Sequence, residues 1–193
     1  MAFSLGADGN GGISVQLIGN YFGSESDFNN LVSGLVASLG ANIGTAQSYT
    51  DWTQLQVANA YGEPLVSSTP ETPNTFFAKS LVTTDLLDNS SLTSWGTYLM
   101  QTAATSDINW FAQADLYGGA ISSDFSATSS SFAHRDAFLV FQLYGSSYNN
   151  APYPADGIDI INNMLTSITP NPTAACTFCP FSSFGVSSCL YWS

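Results

Sequence analysis

The run Trp110-Phe-Ala-Gln-Ala-Asp-Leu-Tyr-Gly119 constrains the fold of this chain more than any other stretch. Successive side chains of a strand point to opposite faces. An extended segment here puts Phe111, Gln113, Asp115 and Tyr117 on one face, and Trp110, Ala112, Ala114 and Leu116 on the other. The second set is apolar and suits a core. The run Phe138-Leu-Val-Phe-Gln-Leu-Tyr144 repeats the division, with Gln142 and Tyr144 set against Leu139, Phe141 and Leu143. Amides and a carboxylate interleaved with aromatic rings make a poor core face. They make a good wall for a ligand that has both hydroxyls and flat apolar C–H faces, and a sugar is such a ligand.

A chain of 193 residues fits one domain able to bury a sizeable core. Hydrophobic residues at 45% and aromatics at 13% exclude disorder. Fourteen acids face Lys79 and Arg135 alone, for a net charge of −12. Phosphate is neutralised by Lys and Arg, so nucleic acid and anionic membrane are excluded as partners. No stretch reaches the roughly 18 consecutive apolar residues of a membrane span. The opening residues hold neither a basic nor a long apolar segment, so no signal peptide is read there. They are strand-like from Ala2 onward, and the domain is expected to be incomplete at both ends.

The rest of the chain divides into elements by its periodicity. Ile13 to Phe22 alternates as a half-buried strand, after a Gly9-Asn-Gly-Gly12 turn that no helix follows, so it is no phosphate cradle. Ser24 caps a helix whose stripe is Phe28, Leu31, Val32, Leu35, Val36 and Leu39, stopped by Gly40 and expected to pack on a sheet. A weaker helix spans Tyr49 to Tyr61. After a loop at Pro70 and Pro73 comes a strand over Thr75–Thr83, then a helix capped by Ser90 or Ser91 with Leu92, Trp95, Leu99 and Ala103 on one side. The strand 108–117, a loose loop from Gly118 to Ser131 and the strand 138–144 follow. A last helix starts near Asp156 and turns Ile158, Ile161, Leu165 and Ile168 inward. This order predicts an α+β domain, an antiparallel β-sheet with helices packed on one face.

Cys176, Cys179 and Cys189 fall in a terminal stretch of different character. Cys176-Thr-Phe-Cys179 has a C-x-x-C spacing, but His134, the one histidine, lies far off in sequence, and Pro180 follows where a redox motif needs a helix. The cysteines are read as incidental, and no metal is expected. Residues 1–170 are assigned to one substrate-binding domain and 171–193 to an aberrant or disordered tail.

Four strings in order, Thr75-Phe-Phe-Ala-Lys-Ser80, Gln113-Ala-Asp-Leu-Tyr-Gly-Gly119, Ala133-His-Arg135 and Phe141-Gln-Leu-Tyr144, carry a resemblance. Together they resemble the substrate domain of berberine-bridge-enzyme-like flavoprotein oxidases, most of all the fungal glucooligosaccharide and chitooligosaccharide oxidases. The resemblance covers about residues 1 to 170. It implies a two-domain enzyme in which one domain holds FAD and the other, a large antiparallel sheet backed by helices, holds the sugar. The implied reaction oxidises the reducing-end hydroxyl to a lactone and makes hydrogen peroxide. Gln113, Asp115 and Gln142 inherit the family's sugar-side roles, and Asp115 also matches the partner of its catalytic tyrosine; Tyr117 and Tyr144 are read beside them as candidate substrate-binding rings. The FAD domain and the family's Asn-Tyr segment with that tyrosine are absent from the sequence, so FAD is implied for the full-length family and not for this chain alone, which is expected not to turn over. The polar, charge-poor composition resembles secreted fungal proteins, and the full-length parent is read as secreted.

Each residue also has a plainer reading. Gln113 and Asp115 fit a solvated open sheet face, Gln142 a surface position, and Tyr117 and Tyr144 a packing role. His134-Arg135 is read as a tether of loop to sheet and Lys79 as a salt-bridge partner. Tyr153, in Ala-Pro-Tyr-Pro, lacks the Asn-Tyr context and is not read as the base. Asn89-Ser-Ser91 is an N-glycosylation sequon, relevant only to a secreted protein. Two other functions stay open: a non-catalytic carbohydrate-binding remnant, and an oxidase fragment acting on an alkaloid or aromatic metabolite.

Overall fold

The computed structural model describes residues 1–40, 46–60, 75–124, 126, 128–129, 134–169 and 177–180. Two compact units divide the chain, Met1–Gly19 with Pro73–Ser193 and Asn20–Thr72. The first unit is a six-stranded sheet in the order β2-β1-β4-β5-β3-β6, every neighbouring pair antiparallel. Its strands are β1 (Ala2–Ala7), β2 (Ile13–Ile18), β3 (Phe76–Thr83), β4 (Asn109–Leu116), β5 (Leu139–Ser146) and β6 (Thr177–Pro180). Helices α3 (Asn89–Gln101) and α5 (Gly157–Ile168) belong to the same unit, with a short α4 (Ala120–Ser123). Both long helices pack on one face of the sheet, as the α+β reading expects.

The core explains that layering. Trp110, Ala112 and Ala114 of β4, Phe141 and Leu143 of β5 and Leu81 of β3 form one buried cluster with Trp95 and Leu99 of α3 and Ile161, Met164 and Ile168 of α5. Alternation turns one side of each strand toward this cluster and the other side away from it. Trp95 meets Phe141 edge-on, at 5.7 Å and 88° between rings. Trp110 Nε1 donates to Ala103 O at 2.7 Å, so its one polar atom is satisfied inside the core. Lys79 points to the core side with Leu81 and sets its ammonium 5.2 Å from the Phe77 ring, and desolvation lowers its pKa.

Local chemistry sets the element ends. Asp8 closes the β1–β2 hairpin by accepting from the backbone N–H of Asn10 at 2.7 Å and of Gly12 at 2.9 Å. In the second unit, α1 (Glu25–Leu39) starts at Ser24, which accepts from Asp27 N at 3.1 Å, and ends at Gly40 in the left-handed conformation that glycine adopts without strain. Helix α2 (Trp52–Asn59) starts at Asp51. Gly118 and Gly119 have φ of 125° and 66°, so the chain leaves β4 by a turn open to glycine.

Several expectations are corrected. The cap of α3 is Asp88, not Ser90 or Ser91: Asp88 has extended backbone angles and its carboxylate accepts from Ser91 N at 2.7 Å. Leu92 of α3 and Ile158 of α5 are exposed, since each lies in the first turns of its helix, ahead of the residues that reach the core. Leu116, the last residue of β4, is exposed for the same reason at a strand end. Strand β2 stops at Ile18, short of Phe22, and Val15 and Leu17 are exposed. None of the residues of α1 is buried. Within the stretch assigned to the tail, the backbone of Thr177–Pro180 pairs with β3. Cys176, Cys189 and the loop at Pro70 and Pro73 lie outside the described residues.

Asp88 and Asp8 make acid stability testable. Backbone N–H groups hold both carboxyls below the usual carboxylate range, led by Ser91 for Asp88 and by Asn10 for Asp8. A lowered folded-state pKa contributes stability above the unfolded value of about 3.9 that is lost as pH falls through the folded value. The urea midpoint is therefore expected to fall between pH 5 and pH 2. Asp88→Asn, which keeps a capping oxygen without a titrating group, should flatten that fall, and an unchanged slope would contradict the assignment.

Candidate substrate face

The side of the sheet away from α3 and α5 collects the residues singled out in the sequence. Strand register places Gln113 directly opposite Gln142 and Phe111 opposite Tyr144. Asp115 sits between Ala2 of β1 and Val140 of β5. Gln142 is exposed, while Phe111, Gln113, Asp115 and Tyr144 are half-buried. Four of the five candidates thus share one surface. Tyr117 lies one residue beyond β4; its backbone N–H donates to Phe138 O at 2.9 Å, and its side chain is exposed.

One hydrogen-bond pair orders the centre of this face. Gln113 Nε2 donates to both Asp115 oxygens, at 3.1 and 3.2 Å. An ionised carboxylate only accepts, so the amide nitrogen must face Asp115. The Gln113 carbonyl then points elsewhere, as a held acceptor for a ligand donor.

Beside this pair runs a ladder of rings that sequence reasoning placed only in part. Phe111 stacks on Tyr144 with centroids 5.0 Å apart and planes 19° apart, and Tyr144 stacks on Phe76 at 5.2 Å and 23°. Phe76 was missed because the strand β3 shows no clear alternation, and only its register against β5 brings the ring alongside. Three strands are thereby tied on the open side as well as through the core, each ring pair adding about 0.5–1.5 kcal/mol beyond its area.

Other titratable groups offer little to the chemistry. Tyr153 donates its phenol to Gly145 O at 3.3 Å, and burial, with the Tyr144 phenol adding to it, pushes its pKa up to about 12. A raised pKa opposes the phenolate form that a base would need. Arg135 Nη2 donates to Ser129 Oγ at 3.5 Å, a bond within the loop. Among the described residues no group of three or more His, Cys, Asp or Glu side chains could hold a metal ion, and no helix is long and apolar enough to cross a membrane.

No protein-family model matches the chain. Individual relatives do. The FAD-linked oxidoreductase dpmaF of Metarhizium anisopliae is 29% identical over 165 residues, covering 78% of this chain and 31% of the relative. The chitooligosaccharide oxidase of Gibberella zeae is 29% identical over 157 residues, covering 78% and 31%. A solved chitooligosaccharide oxidase superposes with a TM-score of 0.69 at 27% identity, over 93% of this chain and 38% of that one. The chain is thus similar to fungal FAD-linked oxidoreductases and oligosaccharide oxidases. It spans about a third of the length of the curated relatives it matches. The resemblance read from the four ordered strings and the antiparallel sheet backed by helices both stand with these oxidases.

Proposed function

We propose that this chain forms the substrate wall of an FAD-dependent oxidase that acts on the reducing-end hydroxyl of oligosaccharides. The observation that carries the reading is the open sheet face, where Gln113, Asp115 and Gln142 meet beside the Phe111–Tyr144–Phe76 ladder. A sugar has hydroxyls on its edges and C–H bonds on its faces, and this surface has amides, a carboxylate and ring edges side by side. The glutamines bracket neighbouring hydroxyls, each amide offering one acceptor and two donors. Asp115 orients Gln113 and offers this face a carboxylate that can take the proton leaving the substrate hydroxyl. Holding the ring in one pose converts a collision into a positioned encounter.

FAD itself finds no cradle for its pyrophosphate among the described residues. Helix N-termini are the usual anion sites, but those of α2 and α3 are filled by the Asp51 and Asp88 carboxylates. Helix α1 starts beside Glu25 and Asp27, and α5 beside Asp156 and Asp159. No step is therefore routed through the flavin; the residues of this chain bind, orient and accept a proton.

A second reading rests on the ladder alone: three stacked rings also suit a flat aromatic substrate. The test is hydrogen peroxide release by a holoenzyme that joins this chain to a flavin-binding domain, with cellobiose and chitobiose set against aromatic amines. Sugar-dependent peroxide is expected. Oxidation of amines alone would replace the carbohydrate reading with the aromatic one, and sugar binding without any peroxide would leave a carbohydrate-binding protein.

A further inference from the structure

Natural sheets blunt their edges with short strands, proline or charged side chains, because an open edge pairs with another strand that meets it. One edge of this sheet carries such devices: β6 has four residues and ends on Pro180. The other edge does not. Strand β2, Ile13-Ser-Val-Gln-Leu-Ile18, has six residues and holds no charge, proline or glycine. Ser14 to Ile18 are all exposed, Val15 at 59%. At the head of the hairpin the Asp8 N–H donates to Gly12 O at 3.0 Å. Hydrogen-bonded pairs alternate along an antiparallel ladder. Ser14, Gln16 and Ile18 therefore turn their backbone groups to β1, and Ile13, Val15 and Leu17 turn theirs outward. The side chains of those three also share a face. Val15 lies opposite Leu5 and Leu5 opposite the buried Ala112, so they stand on the side of α3 and α5, with Ser14 and Gln16 on the open side.

We propose that β2 pairs antiparallel with β2 of a second copy of this chain, about a two-fold axis at Val15, and joins the two sheets into one. The occupant follows from the self-complementarity of the strand. Residues directly opposite in an antiparallel pair share a face. Centring on Val15 sets Val15 against Val15, Ile13 against Leu17 and Ser14 against Gln16, so apolar side chains meet on the helix side and polar ones on the open side. The outward backbone groups of Ile13, Val15 and Leu17 are the ones this pairing joins. Centring on Gln16 instead would put Ser14 against Ile18, and a slip of one residue would set an outward backbone group against one already bonded to β1. A two-fold axis perpendicular to the sheet keeps both open faces on one side, so the dimer carries two candidate substrate faces side by side. Each copy has a net charge of −12, so repulsion opposes the contact and salt that screens it favours the dimer.

Sedimentation of the whole chain across micromolar to millimolar concentrations tests the pairing. The unaltered chain is expected to dimerise with a dissociation constant below about 1 mM, a weak contact because one strand edge buries little area. The dimer should be tighter in about 0.5 M salt than in about 0.05 M salt. Val15→Lys and Val15→Glu each set like charges face to face across the axis and should raise the dissociation constant about tenfold or more. Mixed in equal amounts, the two variants should dimerise again, since opposite charges now meet. Thr97→Lys, on the exposed side of α3, adds the same charge elsewhere and should keep the dimer. Val15 is exposed, so urea midpoints matching that of the unaltered chain are expected and will show that the variants fold. A chain that stays monomeric up to about 1 mM would overturn the proposal. A dimer indifferent to both Val15 variants, or variants that stay apart when mixed, would overturn it as well.

Discussion

Asp115→Asn is expected to lower sugar-dependent peroxide release by about 10²- to 10⁴-fold, the range supplied by a group that takes or holds a proton in the transition state. The substitution preserves size and removes the charge. It also removes the two-oxygen acceptor that faces Gln113 Nε2 at 3.1 and 3.2 Å, so the glutamine amide is no longer compelled to present its carbonyl outward. Both effects act on turnover. Asp115 is half-buried on the open face and outside the core cluster, so the thermal midpoint should move little. Steady-state rates of the holoenzyme that joins this chain to a flavin-binding domain, with and without the substitution and normalised to bound flavin, give the answer. A fall of less than about threefold, well below that range, would remove Asp115 from the chemistry.

Phe141→Ala carries the largest expected cost in stability. Its side chain is 1% exposed, at the centre of the cluster joining β4, β5, α3 and α5. Truncating a buried phenylalanine costs about 3–5 kcal/mol through lost transfer energy and the cavity left behind. The edge-on contact with Trp95 is lost as well. Domains of this size are stable by about 5–15 kcal/mol, so a fifth or more of the margin would go. Urea denaturation monitored by tryptophan fluorescence measures it. A loss below about 1 kcal/mol would mean that the helices do not close over β5 as described.

The sequence made the two faces of β4 and β5 legible because alternation is a local property. Trp110, Ala112 and Ala114 against Phe111, Gln113 and Asp115 needed no partner strand to be sorted. Helix starts were legible to within a few residues, but Asp88, Ser90 and Ser91 all carry capping oxygens, and only backbone angles decide among them. Ends misled: Leu116, Leu92 and Ile158 follow the right period but lie beyond the reach of the opposing layer. What sequence could not show was adjacency between strands far apart in the chain. Ala2 lies opposite Asp115, and Ser80 opposite Gln142, through pairings that no local pattern encodes. The Phe76–Tyr144–Phe111 ladder depends on such pairings, so Phe76 was not read as part of the site.

The sharing of β4 and β5 between core and substrate face has a consequence for how this protein tolerates change. A slip of one residue in pairing would drive Gln113 and Asp115 in among the side chains of α3 and α5 and bring Trp110 and Ala112 out to water. The oily side thus proofreads the polar side: no arrangement can misalign the candidate site and still fill the interior. Single-residue insertions or deletions within these strands are closed to evolution. Exchanges confined to alternate positions are open, so one face can be rewritten for a new ligand while the other stays as it is.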